Sequence, residues 1–381
     1  MQSAQEKDFT RAGEVLAVSL ELSRKSWKVA LQDGKRNRPA LHTVEAAAAA
    51  ARLAQATALI DEAKRKWDVP ASMRVAVMYE AGRDGFWISR ALSARGIEVL
   101  VIDPASVPVE RHARRAKTDR LDALRLLACL RRWVGGERDG MRVVHAPTAQ
   151  TEAQRQLVRE RGQLQKEIGQ HRERMRALLV TVGCWDSLQN DFAGRLAQGQ
   201  LRCHDGSALP PELQARLMRE GERLAQAQEQ LRQLQASLAA QLPAPVQERI
   251  ARLTQLRAIG TVGATRLVLE LYWRDFANRR QVGACVGLAP QPYDSGDSRV
   301  DQGISKQGNR RVRALLIEMA WLWLRYQPDS ALARWFAQRC GDAGKRSRRV
   351  AIVAVARRLA IALWRYLKEG EIPAGARMKA A

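Results

Sequence analysis

A series of short apolar runs, set between stretches of helix-former composition, restricts the fold more than any other feature of this chain. Val15 to Leu20 and Trp27 to Leu31 read as two short strands joined through the polar turn Ser23-Arg24-Lys25 and closed by Asp33-Gly34, a hairpin opening. Residues 44–67 consist of helix formers throughout, and the alanine run within them predicts a plain helix. Arg74 to Tyr79 then reads as a buried strand, Gly85 to Arg95 as a helix, and Glu98 to Ile102 as a strand stopped by Asp103-Pro104. Strand, helix, strand, helix, strand implies a parallel core with right-handed crossovers. A further amphipathic helix starts at Asp119.

The pattern changes near Pro147. Leu164, Ile168, Met175 and Leu178, and later Leu217, Leu224, Leu231 and Leu238, recur at heptad spacing between Arg, Glu and Gln. Two long helices are expected, forming either an antiparallel arm or a dimerisation element, with Cys184 to Pro211 as the connection between them. After Pro243 and Pro245, residues 253–271 are two helical patterns flanking Ile259-Gly260-Thr261-Val262-Gly263, the pattern of a helix-hairpin-helix. Gly260 and Gly263 would let the turn approach a phosphate; an ordinary tight interhelical turn has the same spacing. Gly287 to Asn309 reads as an irregular loop, and apolar helices follow over 312–324 and 350–367. The expected division is a leader at 1–14, a metal-binding α/β domain at 15–146, a coiled-coil helical arm at 147–245, a mainly helical C-terminal domain at 246–370 and a tail at 371–381.

Charge indicates the partner. In this chain of 381 residues, 64 Lys and Arg against 40 Asp and Glu leave a formal charge of +24. With 46% hydrophobic residues the chain is no disordered polycation, and a folded protein with a polyanionic ligand is expected. Basic residues interleaved with Trp and Tyr favour nucleic acid over an anionic membrane surface. No window approaches the roughly 18 uninterrupted apolar residues of a membrane span, and the polar start lacks the apolar core of a signal peptide. A soluble, intracellular protein is expected, with no membrane partner. The five cysteines are scattered without a C-x-x-C pair, which argues against zinc and against a disulfide framework.

Candidate chemistry sits on four acids: Glu21 at the end of the first strand, Glu80 directly after the Arg74 to Tyr79 strand, and Asp119 and Asp122 three apart on one helical face. Residues just past the carboxyl ends of parallel strands line the crevice where ligands bind. Carboxylate oxygens there suit Mg²⁺ or Mn²⁺, which can clamp the attacking and leaving oxygens of a phosphodiester. Taken singly, each acid is more often a solvated side chain or a helix N-terminal charge.

Leu20-Glu21-Leu22-Ser23-Arg24 with Trp27-Lys28-Val29-Ala30, then Tyr79-Glu80-Ala81-Gly82, then the run from Ala116 to Ala123 containing Asp119 and Asp122, resemble the successive acidic motifs of DEDD-type insertion-sequence transposases. In that family the N-terminal domain is RuvC-like, an RNase H-like fold. The third region resembles the family's C-terminal transposase domain through Ile259 to Gly263, Gly287-Leu288-Ala289-Pro290, Asp294-Ser295-Gly296 and Gly303 to Asn309. The resemblance implies recombination of double-stranded donor and target DNA, directed by a structured guide RNA made by the element, in a homodimer or tetramer in the bacterial cytoplasm beside the nucleoid. It also implies that Glu21, Glu80, Asp119 and Asp122 hold Mg²⁺ and that Ser295 is a nucleophile joined covalently to a DNA phosphate. The family's first acid is usually Asp, whereas this chain has Glu21, one methylene longer.

A serine hydroxyl needs a base or metal nearby, and the loop around Ser295 carries no histidine. The expectation is a composite site formed when the serine loop and the carboxylates meet on DNA. By itself Asp-Ser-Gly is more often a turn, and Ser298 and Ser305 are competing serines, Ser305 as a helix cap or phosphate contact. Alternatives to the serine recombinase are a metal-dependent junction nuclease using water and a non-catalytic nucleic-acid-binding protein. Basic clusters flank these segments and are expected to neutralise phosphates of bound nucleic acid: Arg111, Arg114, Arg115 and Lys117; Lys306, Arg310, Arg311 and Arg313, with Asn309 as a further nucleic-acid contact; and Lys345, Arg346, Arg348 and Arg349, although any one such residue is more often part of a solvated face. Trp321, Trp323, Trp335 and Trp364 have the helical spacing of packed core more than of base-stacking residues.

Overall fold

The computed structural model describes residues 15–108, 118–189, 191–295, 298–341 and 344–379. The chain divides into a first unit ending at Ala149 and a second starting at Gln150. The leader at 1–14 and the cluster Arg111, Arg114, Arg115 and Lys117 lie outside the described residues.

In the first unit β1 (Val15–Leu22), β2 (Trp27–Gln32), β3 (Ala40–Val44), β4 (Arg74–Glu80) and β5 (Glu98–Ile102) form one sheet in the order β3-β2-β1-β4-β5. β2 runs antiparallel to both β1 and β3, while β4 lies parallel to both β1 and β5. This mixed sheet with helices is the expected RNase H-like α/β fold. The pleat divides β1 between two cores. Leu16, Val18 and Leu20 pack with α1 (Ala49–Lys66) and α2 (Trp87–Ser93), whereas Val15 and Ala17 pack with Leu126, Leu127 and Leu130 of α3 (Asp119–Val134). A strand covered on both faces is apolar throughout, which is why these runs stand out in the sequence.

β3 was not expected, and the helix predicted from residue 44 starts five residues later, at Ala49. His42 pairs with Val29 and Val44 with Trp27, so the open edge of β2 takes this segment as a strand despite the helix formers that follow it.

Ser19 is the polar member of β1. It is fully buried, and its hydroxyl donates to the carbonyl oxygen of Ala123 in α3 at 2.7 Å. Ser19→Ala should lower stability by about 1 kcal/mol in chemical denaturation, since it removes one buried hydrogen bond while Ala123 keeps its helical partner.

The second unit opens with α4 (Ala149–Val180) and α6 (Pro211–Gln241), with the short α5 (Phe192–Ala197) between them. Met175 and Leu179 near the end of α4 pack with Leu217 near the start of α6, while Val158 and Leu164 share a core with Leu234 and Leu238. The two helices therefore form an antiparallel pair within one chain. Heptad positions Leu164, Met175, Leu217 and Leu238 are buried, and Glu220 sits buried among them, accepting from His171 at 2.6 Å and from Arg174 at 3.3 Å.

α7 (Ala244–Thr254) and α8 (Thr261–Glu270) form the helix-hairpin-helix, followed by α9 (Arg279–Cys285), α10 (Arg310–Tyr326), α11 (Ala331–Cys340) and α12 (Lys345–Glu369). Their core includes Leu267, Leu316, Trp323, Val355, Leu359 and Leu363. Trp323 is fully buried and donates to Ser330 Oγ at 2.9 Å, and Trp364 is also core, while Trp321 keeps an exposed edge against Phe336. The irregular loop expected over 287–309 instead contains a hairpin, β6 (Pro290–Ser295) with β7 (Ser298–Ile304). Pro290 and Pro292 are loop signals in sequence, but a two-stranded ribbon has only edges, where proline is tolerated, and the register shifts between these two residues. None of the described helices is long and apolar enough to cross a membrane.

Candidate active site

β1 and β4 are adjacent and parallel, with Leu20 opposite Tyr79, so Glu21 and Glu80 follow at the same level of the sheet. Strand alternation sends both to the α3 face, continuing Val15, Ala17 and Ser19 on β1 and Ala76 and Met78 on β4. Both acids are half-buried and line a pocket of about 410 Å³ with the 22–24 turn and the 81–84 loop. Glu80 also faces α3 electrostatically: burial pushes the Cys129 thiol up, and the charge of Glu80 acts in the same direction against Arg132 and Arg125.

Arg52 and Tyr79 hold the two walls. Arg52 of α1 donates to the carbonyl oxygens of Ser23 (3.2 Å), Arg24 (3.3 Å) and Lys25 (3.1 Å), which fixes the turn after β1. The Tyr79 hydroxyl donates to the Gly85 carbonyl and accepts from the Ser89 amide, each at 3.3 Å, which fixes the loop after β4. That loop adds Asp84, an acid outside the expected four, 3.7 Å from Arg83.

Asp119 and Asp122 occupy the first turn of α3, behind the cap in which Thr118 Oγ1 accepts from the Leu121 amide at 3.3 Å. There they meet the favourable end of the helix dipole. Asp119 is exposed; Asp122 is half-buried and accepts from Arg125 at 2.8 Å. The Ser19 to Ala123 bond anchors this turn to β1 two residues before Glu21. Among the described residues no three His, Cys, Asp or Glu side chains stand close enough together to hold a metal ion. The donor set nevertheless suits a hard cation in kind: Glu21 and Glu80 present carboxylate oxygens to one pocket, and α3 docks its acidic turn on the same face.

Ser295 ends β6, its backbone paired with Ser298 at the tip of the hairpin, in the second unit. Glycines set the base of that hairpin. A Cβ on Gly287 (φ +67°) would meet the Gln307 carbonyl oxygen at 1.8 Å, and one on Gly308 (φ +88°) the Cys285 carbonyl oxygen at 2.2 Å. Ser305 does not cap α10, because its amide continues the hairpin to Ala289 and the cap is Asn309. Asn309 Oδ1 accepts from the amides of Arg311 and Val312, and Nδ2 donates to Glu270 at 3.1 Å. Structural bonds therefore occupy this predicted nucleic-acid contact.

Arg313 is also engaged, donating to the carbonyl oxygens of Val286 and Gln307. Lys306, Arg310 and Arg311 are exposed, as are Lys345, Arg346, Arg348 and Arg349 at the start of α12. At the helix-hairpin-helix, Gly260 is the N-cap of α8 with open space beside it, whereas a Cβ on Gly263 would meet the Met319 side chain at 3.6 Å. The left-handed residue of that turn is Ala258 (φ 74°).

Residues 23–183 match a transposase family of the DEDD, IS110 type, and residues 250–335 match the family described as Transposase IS116/IS110/IS902. A DEDD domain implies use of a divalent metal. A Sinorhizobium fredii protein named as a transposase, y4rJ, is 40% identical over 376 residues, 95% of this chain and 94% of its own length. The transposase for insertion sequence element IS1328 of Yersinia enterocolitica is 27% identical over 302 residues, 78% of this chain and 84% of its own. Likeness of that extent, running in one order through both units, makes the chain a member of the IS110/IS116 family of insertion-sequence transposases, enzymes that act on DNA.

Proposed function

We propose that this transposase cuts and rejoins DNA through a covalent bond between Ser295 and a DNA phosphate, at sites chosen by a structured RNA made by its own element. The observation that carries this reading is the shared pocket of Glu21 and Glu80 at the ends of adjacent parallel strands, with the acidic turn of α3 anchored beside them. Glu21, Glu80, Asp119 and Asp122 would hold Mg²⁺, whose chemistry is to polarise phosphoryl oxygens and favour ionised hydroxyls.

In the proposed step the Ser295 oxygen bonds to phosphorus while the bond to the leaving deoxyribose oxygen breaks, and the serine proton ends on that oxygen. The reverse displacement by a hydroxyl of the second strand restores the serine. Ser295 suits the role by its place at the end of β6, where its backbone pairs with Ser298. Exposed Lys306, Arg310 and Arg311, which follow the hairpin, and Lys345, Arg346, Arg348 and Arg349 at the start of α12 supply phosphate contacts.

The test is Ser295→Ala in a strand-exchange assay with RNA copurified from cells carrying the flanking sequence of the element. The expected result is a discrete copurified RNA and complete loss of the protein-DNA adduct, seen as loss of a shifted band after denaturation. Retained cleavage without an adduct would instead assign the chemistry to water and overturn the serine step.

A further inference from the structure

A cationic pocket in the second unit takes only Arg311 from the basic clusters of the sequence. α4, α8 and the first turn of α10 enclose about 450 Å³. Arg159 and Lys166, seven apart, lie on one face of α4 with Arg161 beside them; α8 adds Arg266 and Glu270, and α10 adds Arg311. The single acid of the pocket is already neutralised. Glu270 accepts from Arg155 at 3.1 Å, Arg159 at 3.0 Å and Asn309 at 3.1 Å.

The other cations have no carboxylate partner among the described residues. Arg161 reaches only Gln165 Oε1, at 2.9 Å, and Lys166, Arg266 and Arg311 form no ion pair. Burial pushes the Arg161 guanidinium down, and the charge of Arg266 adds to that shift. Like charges gathered in a concave space beside Val158, Val312 and Leu315 repel one another in a medium that screens less than water, and a bound anion relieves the repulsion. Guanidinium forks and an ammonium arranged around one space match the oxygens of a phosphate.

We infer that the pocket between α4, α8 and α10 grips a backbone phosphate of bound nucleic acid, through Arg161, Lys166, Arg266 and Arg311. This rests on the proposed reading of the protein as one that handles both DNA and RNA. The chemistry of a phosphodiester is the same in the DNA substrate and in a guide RNA, and the test separates them.

Full-length protein is titrated against a labelled DNA duplex and a labelled RNA hairpin over a range of salt concentrations. Arg161→Gln/Arg266→Gln should weaken binding about tenfold or more and reduce the slope of log affinity against log salt by about two. Arg216→Gln/Arg219→Gln removes the same charge from exposed positions on α6 and should leave the slope within about half a unit. The thermal midpoint of the Arg161→Gln/Arg266→Gln variant should equal or exceed that of the wild type, because a repulsion is removed. If it melts lower, Lys166→Gln/Arg311→Gln, both exposed, poses the same question.

Loss confined to the hairpin assigns the pocket to RNA, loss confined to the duplex assigns it to DNA, and loss for both assigns it to either backbone. Equal losses in pocket and control pairs, or no loss for either probe, overturn the pocket. Wild-type protein that binds neither probe overturns the nucleic-acid reading and the pocket with it, whereas wild-type binding with an unaffected pocket variant removes the pocket alone.

Discussion

Glu80→Gln should reduce metal-dependent strand cleavage by about a thousandfold or more while leaving the fold intact. The substitution keeps shape and removes charge at the point where β4 opens into the acid pocket beside Glu21. Because Glu80 is half-buried at a strand end, outside the packed centre of either core, a denaturation midpoint close to that of the wild type is expected. Cleavage assays with Mg²⁺, Mn²⁺ and chelator check the prediction: the wild type should lose activity with chelator, and the variant should stay inactive with either ion. Activity near the wild-type level would remove Glu80 from the metal site and leave its place in the pocket as a structural accident.

Glu270→Ala should destabilise the second unit by about 3–5 kcal/mol, enough to threaten folding. Glu270 is only 4% exposed and joins three elements by accepting from Arg155 and Arg159 of α4 and from Asn309, the cap of α10. Removing the carboxylate leaves the guanidinium of Arg155, itself 11% exposed, without its counter-charge in a buried place above the Trp273 ring. Arg159→Ala should cost less, since that side chain is 29% exposed and Arg155 still pairs with the acid.

The same site gives a pH dependence. Burial pushes the Glu270 carboxyl up, but the hydrogen bond from Arg159 and the charges of Arg155 and Arg159 outweigh it and hold the group below its ordinary value of 4.5. A carboxyl depressed in the folded state stabilises fully above its unfolded value and loses that contribution as pH falls through the folded one. Urea midpoints of the wild type should therefore fall below about pH 4.5 more steeply than those of Glu270→Gln.

Some of this was readable from the chain and some was not, for identifiable reasons. β1, β2, β4 and β5 were legible because strands buried on both faces must be apolar throughout, and their order fixed the parallel core that brings Glu21 and Glu80 side by side. The heptad leucines likewise announced α4 and α6. β3 and the β6-β7 hairpin escaped because edge strands tolerate polar residues and proline, so their sequences resemble loops; a partner strand decided them. The antiparallel pairing of α4 with α6 was equally undecided, since heptads state that a face is apolar and not what covers it.

The four family acids could be named from local motifs, whereas Arg52 and Tyr79, which fix the pocket walls, and Asp84, which faces into it, carry no signal of their own. Asn309 looked like a phosphate contact in a basic run until its cap and its bond to Glu270 were seen. The cationic pocket is the clearest case. Arg161 and Arg266 are each one basic residue among many in a chain of charge +24, Arg311 belongs to a separate basic run, and the three share one space only because α8 and α10 fold back against α4. Local sequence thus determined which segments bury apolar surface and which acids stand at strand ends, because those follow from near-neighbour periodicity. The tertiary structure decided which charges meet, because Coulomb and hydrogen-bond partners are chosen by distance in space, here 115 residues apart between Arg155 and Glu270.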